Sequence, residues 1–214
     1  MGEQHEPFWR KVIKKSISGD ISQKTILDVG CGCGGFLKVL YQEKPFKLGY
    51  GIDLAEKPIA IANRHRGSLP INYFVKGDEP NLAGKIDLAF SYEVIYLMPD
   101  LIEHSQFIYD SLKEDGVYYA TTGCHTANPL WSTWKSLVET KSALAVPEYS
   151  PEDYCNAFEQ TGFTVKAQQL NFDGFVPLSW HPEYFPTALD SINYYKRDTI
   201  IFQFAKSASR TSKN

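Results

Sequence analysis

One stretch limits what this chain can fold into more than any other: Ile26-Leu27-Asp28-Val29-Gly30-Cys31-Gly32-Cys33-Gly34-Gly35-Phe36. An apolar, β-branched run ends in a glycine-dense turn, and Phe36 to Tyr41 then begins a helical pattern. Glycine accepts positive φ and lets a ligand approach the main chain with no Cβ in the way. The first helical turn adds unpaired N–H groups. Strand, turn and helix together predict a nucleotide cradle, the opening unit of a doubly wound α/β fold. The spacing alone leaves the ligand open. Gly30, Gly32 and Gly35 satisfy G-x-G-x-x-G, whereas Gly30, Gly32 and Gly34 satisfy G-x-G-x-G after an acid, Asp28.

Downstream order narrows the choice. Lys47 to Leu54 reads as a second strand ending in Asp53, 23 positions after Gly30, near the distance at which doubly wound folds place a ribose-binding carboxylate. A helix over 57–66 and a third strand over 71–75 lead to Asp78 and Glu79. Ile86 to Ser91 is a fourth strand, followed by Tyr92-Glu93-Val94-Ile95-Tyr96-Leu97-Met98-Pro99-Asp100. A helix over 100–113 passes through Lys113-Glu114-Asp115-Gly116 into strand five, Val117 to Thr122. Ser150-Pro151-Glu152-Asp153 reads as a capped helix start. Strand six runs from Phe163 to Phe172 and strand seven from Asp198 to Ala205, joined by a connection expected to be non-helical.

These strings resemble the class I methyltransferases that use S-adenosylmethionine, in the small-molecule branch. The likeness spans about residues 24–206 and lies in 26–36, 51–54 and 86–100, where the S-x-E-V-hydrophobic-Y-hydrophobic-x-P-D string follows strand four. It implies an α/β doubly wound sheet of order 3-2-1-4-5-7-6 with the last strand antiparallel. The expected organisation is one domain over 1–206: an N-terminal helix or lid over 1–20, cap insertions at 124–149 and 173–198, and a polar tail at 207–214. The implied cofactor residues are Asp28, Gly30, Cys31, Gly32, Gly34, Asp53, Leu54, Asp78, Glu79 and Ser91. Glu93 leads the candidate bases, followed by His125 and His181, with Tyr92 and Tyr96 as orienting hydroxyls. Each has a plainer alternative: a loop histidine that is merely structural, a Glu93 that ties down backbone, an Asp78 that caps its turn.

All four tryptophans (Trp9, Trp131, Trp134, Trp180) fall in the N-terminal helix or the insertions. They predict an apolar acceptor pocket or, alternatively, insert packing or a dimer surface. The runner-up activity is an NAD(P)-dependent oxidoreductase. The 86–100 string disfavours it, and the Y-x-x-x-K pair Tyr109 and Lys113 lies after strand four rather than strand five. A methyltransferase-like module that binds cofactor without turnover is the third reading.

Composition bounds the partners. A net charge of −3 over 214 residues offers no overall basic footprint, so nucleic acid is not expected. Cys31, Cys33, Cys124 and Cys155 make no C-x-x-C or Cys/His zinc spacing, so no metal is expected and the thiols read as reduced and cytoplasmic. No apolar run long enough to span a bilayer appears, so no membrane is expected. A small-molecule acceptor and a monomer or homodimer complete the reading.

Overall fold

Alternation along three adjacent strands sets the two layers of the core. In β1 (Thr25–Val29), Ile26 points to one face and Leu27 to the other. In β4 (Ile86–Tyr92), Phe90 and Ala89 divide the same way, as do Tyr119 and Tyr118 in β5 (Leu112–Thr122). Both faces are therefore buried, and a strand buried on both sides needs helices on both sides. A computed structural model describes residues 5–142, 145–176, 178 and 183–206.

The helices are α1 (Glu6–Ser16), α2 (Gly35–Glu43), α3 (Glu56–His65), α4 (Leu101–Ser111), α5 (Trp131–Ser142), α6 (Pro151–Gln160) and α7 (Ala188–Asn193). The first three pack on the Ile26 face through Phe8, Leu37 and Ile59. α4 and α6 pack on the Leu27 face through Ile108, Tyr154 and Phe158. With β2 (Leu48–Asp53), β3 (Ile71–Val75), β6 (Phe163–Gln169) and β7 (Ile200–Lys206), the sheet has the order β3-β2-β1-β4-β5-β7-β6. β7 is antiparallel to both neighbours, so the carboxyl ends of β5 and β6 face the same edge as those of β1 to β4. The expected sheet is the observed one.

Local chemistry accounts for the helix starts. Asp100 caps α4 by accepting from the N–H groups of Ile102 (2.8 Å) and Glu103 (3.0 Å). Ser150 and Asp153 make the reciprocal capping box expected of α6. The Tyr109 and Lys113 pair is structural: Tyr109 meets Phe163 edge-on, and Lys113 Nζ lies 2.7 Å from Asp87.

One expectation needs correction, in the second insertion. The connection from β6 to β7 is not non-helical, because α7 starts at a Thr187–Asp190 capping box and runs into a π-turn over Tyr194–Asp198. The first insertion holds the twelve-residue α5. α5 forms because Trp131 and Trp134 bury their rings with Cys124, Val146 and Tyr194, a third cluster above the sheet edge. Burial against a distant segment stabilised a helix whose own pattern is weak.

Candidate functional site

At the end of β1 the chain turns through Gly30 (φ 75), Gly32 (φ 50) and Gly34 (φ 78), values that side-chain-bearing residues rarely adopt. The glycines are not alike. A Cβ on Gly30 would lie 2.4 Å from Val94 Cγ2, and one on Gly34 would lie 2.5 Å from the Tyr73 ring. A Cβ on Gly32 would meet nothing within 4 Å. Packing thus accounts for Gly30 and Gly34, while Gly32 leaves an open face.

The acids around the turn differ in kind. Asp28 is buried beneath it, and its Oδ2 has no hydrogen-bond partner. Burial first, and the charge of Asp53 second, push its carboxyl up to about 8. Asp53, at the end of β2, accepts from the N–H of Gly32 (2.9 Å) and of Ala55 (2.9 Å), which fixes the carboxylate against the turn. Leu54 beside it is 75% exposed, an apolar surface unusual for its size. Cys31 is buried, and burial raises its thiol well above the usual range.

The remaining candidates lie further off. Asp78 is exposed in the turn after β3, and Glu79 accepts from the Gly77 N–H and pairs with Lys76 at 3.5 Å. The Ser91 hydroxyl points into the core, 2.6 Å from the buried Tyr118 hydroxyl, so its side chain does not face the turn.

Beyond β4 the backbone breaks strand geometry: Glu93 has φ 55. A non-glycine residue there carries strain, held by the Glu93 N–H donating to Thr121 O at 2.8 Å. The kink turns Glu93 toward a cavity of about 430 Å³ at the carboxyl edge of the sheet. Its carboxylate accepts from the Gly123 N–H (3.1 Å) and the Thr122 hydroxyl (3.2 Å). Burial nevertheless lifts it to about 7, against the lowering pull of the Tyr194 hydroxyl and these donors. The hydrogen bond to the Gly123 N–H is the backbone-tying contact expected as the plainer alternative for Glu93.

Tyr96 shares the cavity wall and meets Trp131 edge-on. Tyr92 does not line it, since its ring turns toward α1, with Trp9 at 6.3 Å and His5 at 6.0 Å. His125 is set apart as well: it is buried, and its Nε2 donates to Asp198 O at 2.8 Å, pinning the start of one insertion to the end of the other. His181, with Trp180, lies outside the described residues.

Sequence reasoning missed Phe8, Cys124, Lys141 and Glu183, which line the same cavity. Phe8 stacks on Tyr195 at 3.7 Å, so α1 and the second insertion close one wall together. The aromatic richness of the insertions was the available signal. Which rings converge was not readable from it. Among the described residues no cluster of His, Cys, Asp and Glu could hold a metal ion.

A sheet of this order, a glycine turn after β1 and an acid ending β2 define the class I methyltransferase architecture. The family model described as "Methyltransferase domain" matches residues 1–168, and the chain belongs to that family.

Among curated relatives, the tRNA U34 carboxymethyltransferase of Campylobacter jejuni subsp. doylei is 32% identical over 53% of this chain and 42% of its own length. The malonyl-[acyl-carrier protein] O-methyltransferase of Acetivibrio thermocellus is 27% identical over 82% of this chain and 64% of its own. The chain thus spans about half the length of the curated relatives it matches. In fold it is similar to a putative methyltransferase solved in complex with the Haloferax volcanii Trm112 methyltransferase activator. That match has a TM-score of 0.79 and 20% identity, and covers 96% of this chain and 92% of that one. Geranyl diphosphate C-methyltransferase from Streptomyces coelicolor A3(2), solved with S-adenosyl-L-homocysteine, gives 0.70 and 17%, covering 92% and 74%.

These relatives overturn the partner expectation. Several of them are tRNA carboxymethyltransferases and one was solved with a protein activator, so neither the exclusion of nucleic acid nor the restriction to a small molecule and a second copy of this chain stands. The physical fault lies in the charge argument: a net charge of −3 is a whole-chain average and does not report what one edge of a sheet can meet. No helix among the described residues is long and apolar enough to cross a membrane.

Proposed function

We propose that the chain is an S-adenosylmethionine-dependent methyltransferase that transfers a methyl group to nitrogen or oxygen of an acceptor entering the aromatic-walled cavity. The open face over Gly32, together with the partnerless Asp28 oxygen, carries this reading. A turn held at positive φ with nothing above it, and a buried carboxyl lacking a counter-charge, fit a ligand that brings an ammonium group and needs close main-chain contact. Asp28 would face that ammonium, Asp53 the ribose hydroxyls, and Leu54 with Asp78 the adenine end. When bound, the cofactor supplies an electrophilic methyl on a sulfonium.

The chain's own residues then do the positioning. Glu93 lies beside Val94, whose side chain abuts Gly30, so the cavity opens next to the turn. Holding an acceptor there at reacting distance can lower the barrier by roughly 7–11 kcal/mol at best. Walls from α1, α5 and the second insertion flank the acceptor on several sides, and Glu93 can take a proton from it. The cavity limits the size of the reacting group and leaves its carrier open.

Two measurements test the proposal. Calorimetry should give binding of S-adenosylhomocysteine and none of NADH; the reverse would end it. Labelled S-adenosylmethionine, incubated with separate RNA, protein and low-mass fractions, should then deliver label to one of them. Tight cofactor binding with all three fractions silent would favour a non-catalytic module.

A further inference from the structure

Methyl transfer as such does not require the charge arrangement found in the acceptor cavity. Glu93 faces the cavity without an ion-pair partner among the described residues. The one lysine of the described lining, Lys141, is already engaged, 2.8 Å from Glu183 and 2.7 Å from the Tyr184 hydroxyl. His5, at the α1 side, is held below its ordinary value by burial and so stays neutral near pH 7. The groups packed around Glu93 from the other elements are uncharged: Tyr96 from the turn after β4, Thr122 at the end of β5 and Cys124 just beyond it, and Tyr194 and Tyr195 from the π-turn. The described lining therefore supplies no positive partner for Glu93. Its carboxyl, raised to about 7 by burial, is partly ionised at neutral pH and gains its charge beside a cation.

Around it the rings are set at steep angles to one another. Trp134 meets Tyr194 at 5.1 Å and 88° and Phe185 at 5.6 Å and 82°, while Tyr194 meets Tyr195 at 4.7 Å and 71°. All four rings line the cavity while packing against one another. Aromatic faces attract cations, and most strongly where water is excluded. A carboxylate or phosphate acceptor would instead meet a like charge once Glu93 ionises, and a neutral hydroxyl would bring it no counter-charge.

Resting on the proposed methyltransferase reading, we infer that the acceptor group is a protonated amine attached to an apolar body, received by Glu93 inside the cage of Trp134, Phe185, Tyr194 and Tyr195. The ammonium N–H bond breaks and its proton moves to a Glu93 oxygen, leaving the electron pair on nitrogen. That pair forms the new N–C bond with the methyl group as the methyl–sulfur pair departs on sulfur, so the product amine carries the positive charge. A carboxyl that titrates near neutral pH is suited to take this proton and release it again.

The test uses the full chain with S-adenosylhomocysteine present and measures binding by calorimetry and thermal shift. Phenethylamine and benzyltrimethylammonium are the cationic probes, with 2-phenylethanol and phenylacetate as neutral and anionic counterparts. Both cations should bind at least tenfold tighter than either counterpart. Glu93→Gln should remove at least a tenfold share of that preference, and Trp134→Leu should weaken the quaternary probe severalfold. Phenylacetate binding as tightly as phenethylamine, absence of binding by both cations, or a preference that survives Glu93→Gln would each overturn the inference. Should either variant fail to fold, the order of the four probes on the unaltered chain decides alone. If S-adenosylhomocysteine itself does not bind, the proposed function falls and the inference with it. If it binds and the cationic preference is missing, only the inference falls.

Discussion

The two ends of the sheet's carboxyl edge are built by opposite means. At the β1–β2 end the candidate cofactor site is mostly main chain: three glycines at positive φ, N–H groups of Gly30 and Cys31 donating to Ile52 O, and Asp53 held on Gly32 N. At the β4–β5 end the cavity is mostly side chain, drawn from α1, the Glu93 kink, α5 and the second insertion. A backbone site tolerates little change because each position is set by φ and by close approach. A side-chain wall can be repacked one ring at a time. The pair of regions thus separates what a methyltransferase must share with its relatives from what can differ with the acceptor.

The sharpest way to break that separation is Glu93→Gln. Turnover should fall roughly 100- to 10,000-fold, the range for loss of a proton-accepting group. Affinity for S-adenosylhomocysteine, read by calorimetry, should stay within about twofold of the unaltered chain (a predicted tolerance, since Glu93 makes no contact with the turn). Parallel loss of both would mean the regions are one site. Because Glu93 must be ionised to accept a proton, kcat/KM should rise with pH through a value of about 7.

Next in size is the contrast within the turn. Gly30→Ala combines a left-handed backbone, costing ~1–2 kcal/mol, with a clash on Val94 of ~1–3 kcal/mol. Gly32→Ala carries only the first cost. Thermal unfolding should therefore show a clearly larger drop for Gly30→Ala, while both variants lose cofactor affinity. Equal stability losses would mean that the open face over Gly32 is not what distinguishes it.

Asp53→Ala should weaken S-adenosylhomocysteine binding by about 1–3 kcal/mol, from lost charged hydrogen bonds, and leave acceptor-cavity probes unaffected. Unchanged cofactor affinity would remove the ribose assignment. Asp28 gives a pH signature. Its folded value near 8 lies above the unfolded value of about 3.9, so the folded chain binds the extra proton between them. Stability should fall as pH rises across that window, and Asp28→Asn should flatten the fall in thermal scans at pH 5 and pH 8.5 (conditions chosen inside and just above about pH 4–8). An unchanged slope would mean Asp28 is already charged when folded.

The smallest effect is expected at Ser150, which serves neither region. Loss of the α6 capping box in Ser150→Ala should cost about 1 kcal/mol of stability with both binding activities intact.

How much of this was legible follows from range. The glycine turn, Asp53 and the succession of strands could be read because each depends on residues a few positions apart, while the order of strands in the sheet was implied by the family resemblance. Ser91 and His125 were legible as polar residues near strand ends. Their partners, Tyr118 hydroxyl and Asp198 carbonyl, come from distant chain, so their inward roles were not. α5 was unreadable for a related reason, since the partners that bury Trp131 and Trp134 include Tyr194, far along the chain.

By itself, then, the sequence determined the glycine turn and the succession of strands and helices, because φ preference, glycine spacing and apolar alternation act locally, while the order of the sheet came from the family resemblance those strings carry. Only the tertiary structure decided that Phe8, Glu93, Trp134 and Tyr195 share one cavity and that its described lining gives Glu93 no cationic partner. Those facts depend on which segments meet across the carboxyl edge and on how far water is excluded there, and no local preference carries either.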